Sequence, residues 1–99
     1  MTNLTKANFD DETKTGTCLV DFWATWCGPC MMMGQIIESE IAPKTTAKIC
    51  KVNVDECPDL AVRFNVQSIP LLLVMQNGQV KKEFIGVTDP GEILTALAV

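Results

Sequence analysis

Hydrophobic and polar positions alternate between two periods along the chain. Thr17 to Ala24 holds Cys18-Leu19-Val20-Asp21-Phe22-Trp23, an almost unbroken apolar run of strand length. Such a run suits a strand covered on both faces. From Gly28 the period becomes helical. Met33, Ile37 and Ile41 recur at four-residue spacing, with Met32 and Ile36 beside them, which predicts one apolar stripe on a helix running to Pro43. Pro29 fits the first turn, where its missing N–H has no partner to lose. Lys48 to Asp55 reads as the next strand, with Ile49, Val52 and Val54 as its apolar members. Pro58 opens a short helix through Phe64, closed by Asn65 in the left-handed conformation. Leu71 to Met75 is a second buried strand, and Val80 to Ile85 returns antiparallel after Asn77-Gly78, both of which tolerate positive φ. Asp89-Pro90-Gly91-Glu92 is a helix start, with Asp as N-cap and Pro at the first position. Ile93 with Leu97, and Leu94 with Ala98, form the stripe of that last helix. Ahead of all these, Thr5 to Glu12 predicts a short polar helix anchored by Phe9. The order strand, helix, strand, helix, hairpin, helix requires a parallel pair joined by a crossover and an antiparallel edge. The fold class is α/β: a mixed sheet between two layers of helices.

Length and composition narrow this further. The 99 residues suit one domain spanning 1–99, and 47% hydrophobic residues are enough to bury a core. The net charge of −4 argues against nucleic acid as a partner. No apolar run reaches membrane-spanning length, and the start of the chain is polar, so a cytoplasmic protein off the membrane is expected. The absence of histidine removes Ser-His-Asp and Cys-His nucleophile pairs. The scattered glycines form no phosphate-cradling loop, so no cofactor is expected. Monomer is the default state.

Five cysteines, at 18, 27, 30, 50 and 57, carry the chemistry. Cys27 and Cys30 lie three apart at a helix start and share one face. Their Cβ atoms are then about 5–6 Å apart, and a tightened first turn brings them within disulfide reach. Free N–H groups and the positive end of the helix dipole favour a thiolate at Cys27, the nucleophile, while Cys30 sits a turn deeper, placed to resolve a mixed disulfide. The competing reading of a lone pair of this spacing is a metal knuckle, but zinc wants four ligands and no second such pair or histidine exists here. Cys18 and Cys50 read as buried hydrophobes. Cys57, just before Pro58, is a buried thiol or a regulatory one.

The run Val20-Asp21-Phe22-Trp23-Ala24-Thr25-Trp26-Cys27-Gly28-Pro29-Cys30, followed in order by Val52-Asn53-Val54-Asp55, Ser68-Ile69-Pro70, Asn77-Gly78 and Gly86, resembles the thioredoxin family from about Thr17 onward. The resemblance implies a thioredoxin fold with about five strands and about four helices. It implies a protein thiol–disulfide oxidoreductase: the Cys27–Cys30 dithiol is oxidised reversibly, disulfide-containing proteins are the substrates, and a separate reductase of the thioredoxin-reductase type supplies electrons. It implies that Asp21 relays a proton to Cys30 and that Lys51 modulates Asp21. The bland alternatives are a strand-end pair between these two charges and a solvated lysine. Trp26, Gly28, Pro29, Ile69, Pro70, Gly86 and Val87 are implied to border the substrate, with a cis Ile69–Pro70 bond, although an X–Pro bond is ordinarily trans. Trp23 reads as packing. Three positions depart from the family pattern. Met31 replaces a common lysine, Gln35 a kinking proline, so that a straighter helix is expected, and Leu71 a common threonine. Met31-Met32-Met33 offers a soft apolar patch. Readings outside reduction are an oxidant or isomerase, or a binding subunit that keeps the fold.

Overall fold

A computed structural model describes residues 1–99. Its strands are β1 (Thr2–Asn3), β2 (Thr17–Trp23), β3 (Lys48–Asn53), β4 (Leu71–Gln76) and β5 (Gln79–Ile85). Its α-helices are α1 (Phe9–Thr13), α2 (Gly28–Ile36), α3 (Pro58–Arg63) and α4 (Pro90–Leu97). The five strands form one mixed sheet in the order β1-β3-β2-β4-β5. β3 lies parallel to both β1 and β2, while β4 runs antiparallel to β2 and to β5. No helix is long and apolar enough to cross a membrane.

The apolar run of β2 is explained by its two covered faces. Cys18, Val20 and Phe22 point into one core with Phe9, Leu60, Leu71 and Leu73, under α1 and α3. Leu19 points into the other with Met33, Ile37, Leu72 and Ile93, under α2 and α4. Because strand side chains alternate, Asp21 falls on the same face as Leu19.

Four local expectations need correction, and one strand was not expected. The N-terminal residues form a strand, β1, which pairs Thr2 with Cys50 and Asn3 with Lys51. Two residues are too few for any periodic signal, so the polar sequence concealed it. The second helix is not continuous to Pro43: a π turn covers Ile37–Ile41, and a 3₁₀ turn, Ala42–Lys44, contains the proline. Residues four apart drift by about 40° per step around a regular α-helix. The wider π turn reduces that drift, and Met33, Ile37 and Ile41 all remain fully buried. The Ser39 hydroxyl donates to the Gln35 carbonyl at 2.8 Å, a type of bond that opens helical turns. Met32 lies outside the stripe, 57% exposed. On α4, Ala98 is exposed and Ala96 packs inward instead.

The first helix begins at Phe9 and not at Thr5, and residues 6–8 form a turn before it, whereas the turn and capping signals have their expected geometry. Asn65 has φ 53°, and Asn77 and Gly78 have φ 51° and 82°, the two positive values of a tight hairpin turn. Asp89 caps α4 by accepting from the Gly91 N–H at 3.0 Å.

Candidate active site

The site lies beyond the carboxyl end of β2. Trp23 ends the strand, and the chain turns back so that the Cys27 N–H donates to the Ala24 carbonyl at 3.2 Å. Cys27 is the N-cap of α2, in extended conformation, and its sulfur accepts from the Cys30 N–H at 3.1 Å. Cys27 and Cys30 are joined by a disulfide with Cα atoms 5.2 Å apart, and both are nearly buried. Gly28 and Pro29, between them, are exposed. Gly28 has ordinary φ and open space where a side chain would stand, so neither strain nor crowding demands a glycine there.

Two loops meet this disulfide. The Ile69–Pro70 bond is cis, and the Ile69 carbonyl lies 3.9 Å from Cys27 Sγ. The Pro70 carbonyl in turn accepts from the Gly86 N–H at 2.8 Å, which draws the Gly86-Val87 loop alongside. Gly86 has φ 82°, so here the backbone does require glycine. The Thr88 N–H points to Met33 Sδ at 3.4 Å and ties the same loop to α2. Ile69, Pro70, Gly86 and Val87, distant in sequence, therefore gather around the cysteine pair.

Trp26 is 71% exposed beside Cys27, and its indole N–H donates to Asp55 Oδ2 at 2.8 Å. The turn carrying Asp55 is shaped by Asn53, whose side-chain oxygen accepts from the N–H groups of Asp55 and Glu56 at 2.9 and 3.3 Å. Trp26, Val54, Ala61, Val66 and Ile69 form most of a groove of about 430 Å³, completed by the uncharged Gln67 and Ser68. Sequence reasoning alone assigned no role to Asp55, Ala61 or Val66. Asp55 stood inside a family-like segment, which was its one signal. Ala61 and Val66 had none, being joined to Trp26 only through the packing of α3.

Behind the disulfide, a cavity of about 200 Å³ is lined by Asp21, Trp23, Cys30, Met31, Glu38 and Lys51, among others. Asp21 is fully buried, and neither of its carboxylate oxygens has a hydrogen-bond partner. Burial pushes its pKa up to about 6, against the opposing pull of Lys51. Asp21 and Lys51 are register partners between β2 and β3. The Lys51 ammonium nevertheless lies over the Trp23 ring, 4.1 Å from its centroid, and the ion pairs of the molecule lie elsewhere. A strand-end Asp21–Lys51 salt bridge is therefore not what holds the carboxylate. The methionine patch reduces to Met31 and Met32, since Met33 is buried.

Cys18, Cys50 and Cys57 are free and buried. Burial raises all three thiols, Cys50 to about 11. Cys57 points its sulfur at the Leu4 carbonyl, 3.8 Å away. Thiols raised this way are poor nucleophiles, which favours the structural reading of Cys57.

A family model described as thioredoxin matches residues 1–98, so the resemblance extends through the N-terminal strand and helix. Thioredoxin from Staphylococcus saprophyticus is 46% identical over 85 residues, 84% of this chain and 81% of its own. Thioredoxin from Listeria monocytogenes is 43% identical over 91 residues, covering 91% of this chain and 88% of its own. Among solved structures, a point mutant of thioredoxin from Halobacterium salinarum superposes with a TM-score of 0.88 at 30% identity, over 97% of this chain and 86% of that one. The sulfur pair at the helix mouth thus serves protein-disulfide reduction, and the chain belongs to the thioredoxin family of thiol–disulfide oxidoreductases.

Proposed function

We propose that Cys27 is the attacking sulfur and Cys30 the resolving one. What carries this reading is the position of Cys27 at the N-cap of α2, where the Cys30 N–H points at its sulfur from 3.1 Å. A donor and a helix dipole aimed at that atom favour its thiolate in the reduced protein. The thiolate attacks one sulfur of the substrate disulfide. The substrate S–S bond breaks, and its other sulfur leaves with the electron pair and takes up a proton. Cys30 then gives its proton to Asp21 and attacks Cys27 Sγ, releasing the second substrate sulfur, which is protonated in turn. Two electrons pass to the substrate and its two sulfurs take protons from solvent, to which Cys27 and, through Asp21, Cys30 have released theirs; the protein is left with the Cys27–Cys30 disulfide.

The Asp21 role is supported by its burial at the bottom of the cavity that Cys30 also lines. A carboxyl with a pKa of about 6 exchanges protons readily near neutral pH. Lys51 keeps it lower than burial alone would. Trp26, Gly28, Pro29, Ile69, Pro70, Gly86 and Val87 border the substrate, and the Ile69 carbonyl, 3.9 Å from Cys27 Sγ, is placed to meet an extended chain. Re-reduction falls to a separate reductase of the thioredoxin-reductase type, and the protein acts as a cytoplasmic monomer. The test is a pair of variants. Cys27→Ser should abolish reduction of a protein disulfide, whereas Cys30→Ser should accumulate a covalent complex with the substrate, seen on non-reducing gels. Turnover by Cys27→Ser would overturn the assignment.

A further inference from the structure

The loop 86–88 joins the end of β5 to the cap of α4 and is held to its surroundings at two points. The Gly86 N–H donates to the Pro70 carbonyl at 2.8 Å, which fastens one end of the loop to the segment with the cis bond. The Thr88 N–H points to Met33 Sδ at 3.4 Å and has no other partner in the molecule. The Thr88 hydroxyl donates to the Gly86 carbonyl at 3.0 Å, a bond internal to the loop. Val87 stands between the two anchors, 47% exposed, and neither its N–H nor its carbonyl is bonded within the molecule. Met33 is fully buried, one turn beyond Cys30 on α2. It belongs to a core of eight buried residues, and the other seven are all leucine, isoleucine or valine. Its sulfur is therefore the one side-chain acceptor among them, although an aliphatic residue of similar volume would satisfy the packing.

We propose that Met33 is a positioning residue for disulfide reduction: its thioether fixes the Gly86-Val87-Thr88 loop to the helix that carries both cysteines, and so holds that loop at the distance an extended substrate chain requires. This rests on the assignment of Cys27 as nucleophile. The Gly86–Pro70 bond joins the loop to its neighbouring segment but not to α2. The hydrogen bond that reaches α2 is Thr88–Met33. A thioether is a weak acceptor, but a half-buried N–H deprived of it is left unpaired, so the bond acts chiefly through the penalty of losing it. An aliphatic side chain at 33 keeps the core filled and releases the loop from α2. Ordering the loop then falls to the incoming substrate, which weakens binding of an extended chain and leaves the exchange of sulfurs as it was. A small disulfide that reaches the sulfur pair alone does not draw on the loop.

The experiment compares the full parent chain with Met33→Leu, both pre-reduced, on an extended peptide disulfide and on a small aromatic disulfide. The preference for the peptide, as a ratio of kcat/KM values, should fall about fivefold, and the fall should lie in KM for the peptide. In native-state hydrogen exchange the Thr88 amide should exchange about tenfold faster in the variant. The pH profile of Cys27 alkylation should coincide with the parent's. Should Met33→Leu fail to fold, norleucine in place of methionine throughout the parent keeps the shape, removes the sulfur and gives the same readings. An unchanged preference, or a Thr88 amide exchanging at the parental rate, would overturn the proposal. So would a displaced alkylation profile, since the substitution would then be acting on the sulfur pair through α2. A parent that reduces neither disulfide would overturn the assignment of Cys27, and this proposal with it, even if the Thr88 exchange rose as expected.

Discussion

Asp21 is a carboxylate in a place that favours its neutral form. It is fully buried, its oxygens have no hydrogen-bond partner, and its pKa rises from 3.8 to about 6. The folded state therefore binds its proton more tightly than the unfolded chain does. Any stability this gives is complete below about pH 4 and is lost as pH rises through about 6, so above that the ionised carboxylate destabilises the fold. Asp21→Asn removes the charge but keeps a buried polar group. The full linkage is about 3 kcal/mol, and the amide's own burial reduces the gain. The variant should be more stable than the parent by about 1–2 kcal/mol at pH 8, with the difference vanishing toward pH 4. Urea denaturation at a series of pH values checks this. In the same variant, disulfide reduction should slow near pH 7, and parental rates across the pH range would exclude the relay. The acid was legible in the sequence because a charge interrupts Leu19-Val20-Asp21-Phe22. That the Lys51 ammonium would stack on Trp23 instead of pairing with Asp21 was not, since that choice is made between facing strands.

Elements with a strong local signal matched their expected type. The hairpin is the clearest case: Asn77 and Gly78 both adopt positive φ, and Asn77 also bonds across to Gly16 through its N–H and its side-chain oxygen, each at 2.9 Å. Asn77→Ala keeps the hairpin but places a β-carbon in the left-handed region and removes the side-chain bond. The expected loss is about 1–2 kcal/mol, read from the shift in urea midpoint at unchanged slope. The turn lies at the opposite end of β4 from Pro70, so the rate of disulfide reduction should not change. Elements whose cause is tertiary were illegible. β1 exists because β3 offers an unpaired edge to Thr2 and Asn3, and the π turn exists because three residues must all reach the sheet. Neither reason is written in a local period.

At the scale of the molecule, the sheet divides the interior, and the site forms where the strands end. Cys27 and Cys30 were legible because their chemistry needs only a spacing and a helix start. Asp55 and the groove were not, because Trp26 meets a residue 29 positions away only once β2 and β3 have paired, and Ala61 and Val66 join them from beyond that turn. The division has a measurable consequence. Leu73 faces the core under α1 and α3, whereas Ile93 faces the core under α2 and α4. Val20 shares the first core with Leu73 and is its register partner between β2 and β4. Each one- or two-carbon truncation, Leu73→Val, Ile93→Val or Val20→Ala, should cost about 1–2 kcal/mol. Effects that reach each other only through the sheet backbone have no shared cavity into which side chains relax, so Leu73→Val with Ile93→Val should be additive within about 0.5 kcal/mol. Leu73→Val with Val20→Ala empties adjoining space on one face, and that pair should depart from additivity by more than about 0.5 kcal/mol. Two double-mutant cycles by urea denaturation make the comparison. If the cross-sheet pair were coupled as strongly as the facing pair, the two cores would be behaving as one, and the sheet would be a conduit for packing changes between the helices behind the disulfide and those beside the groove.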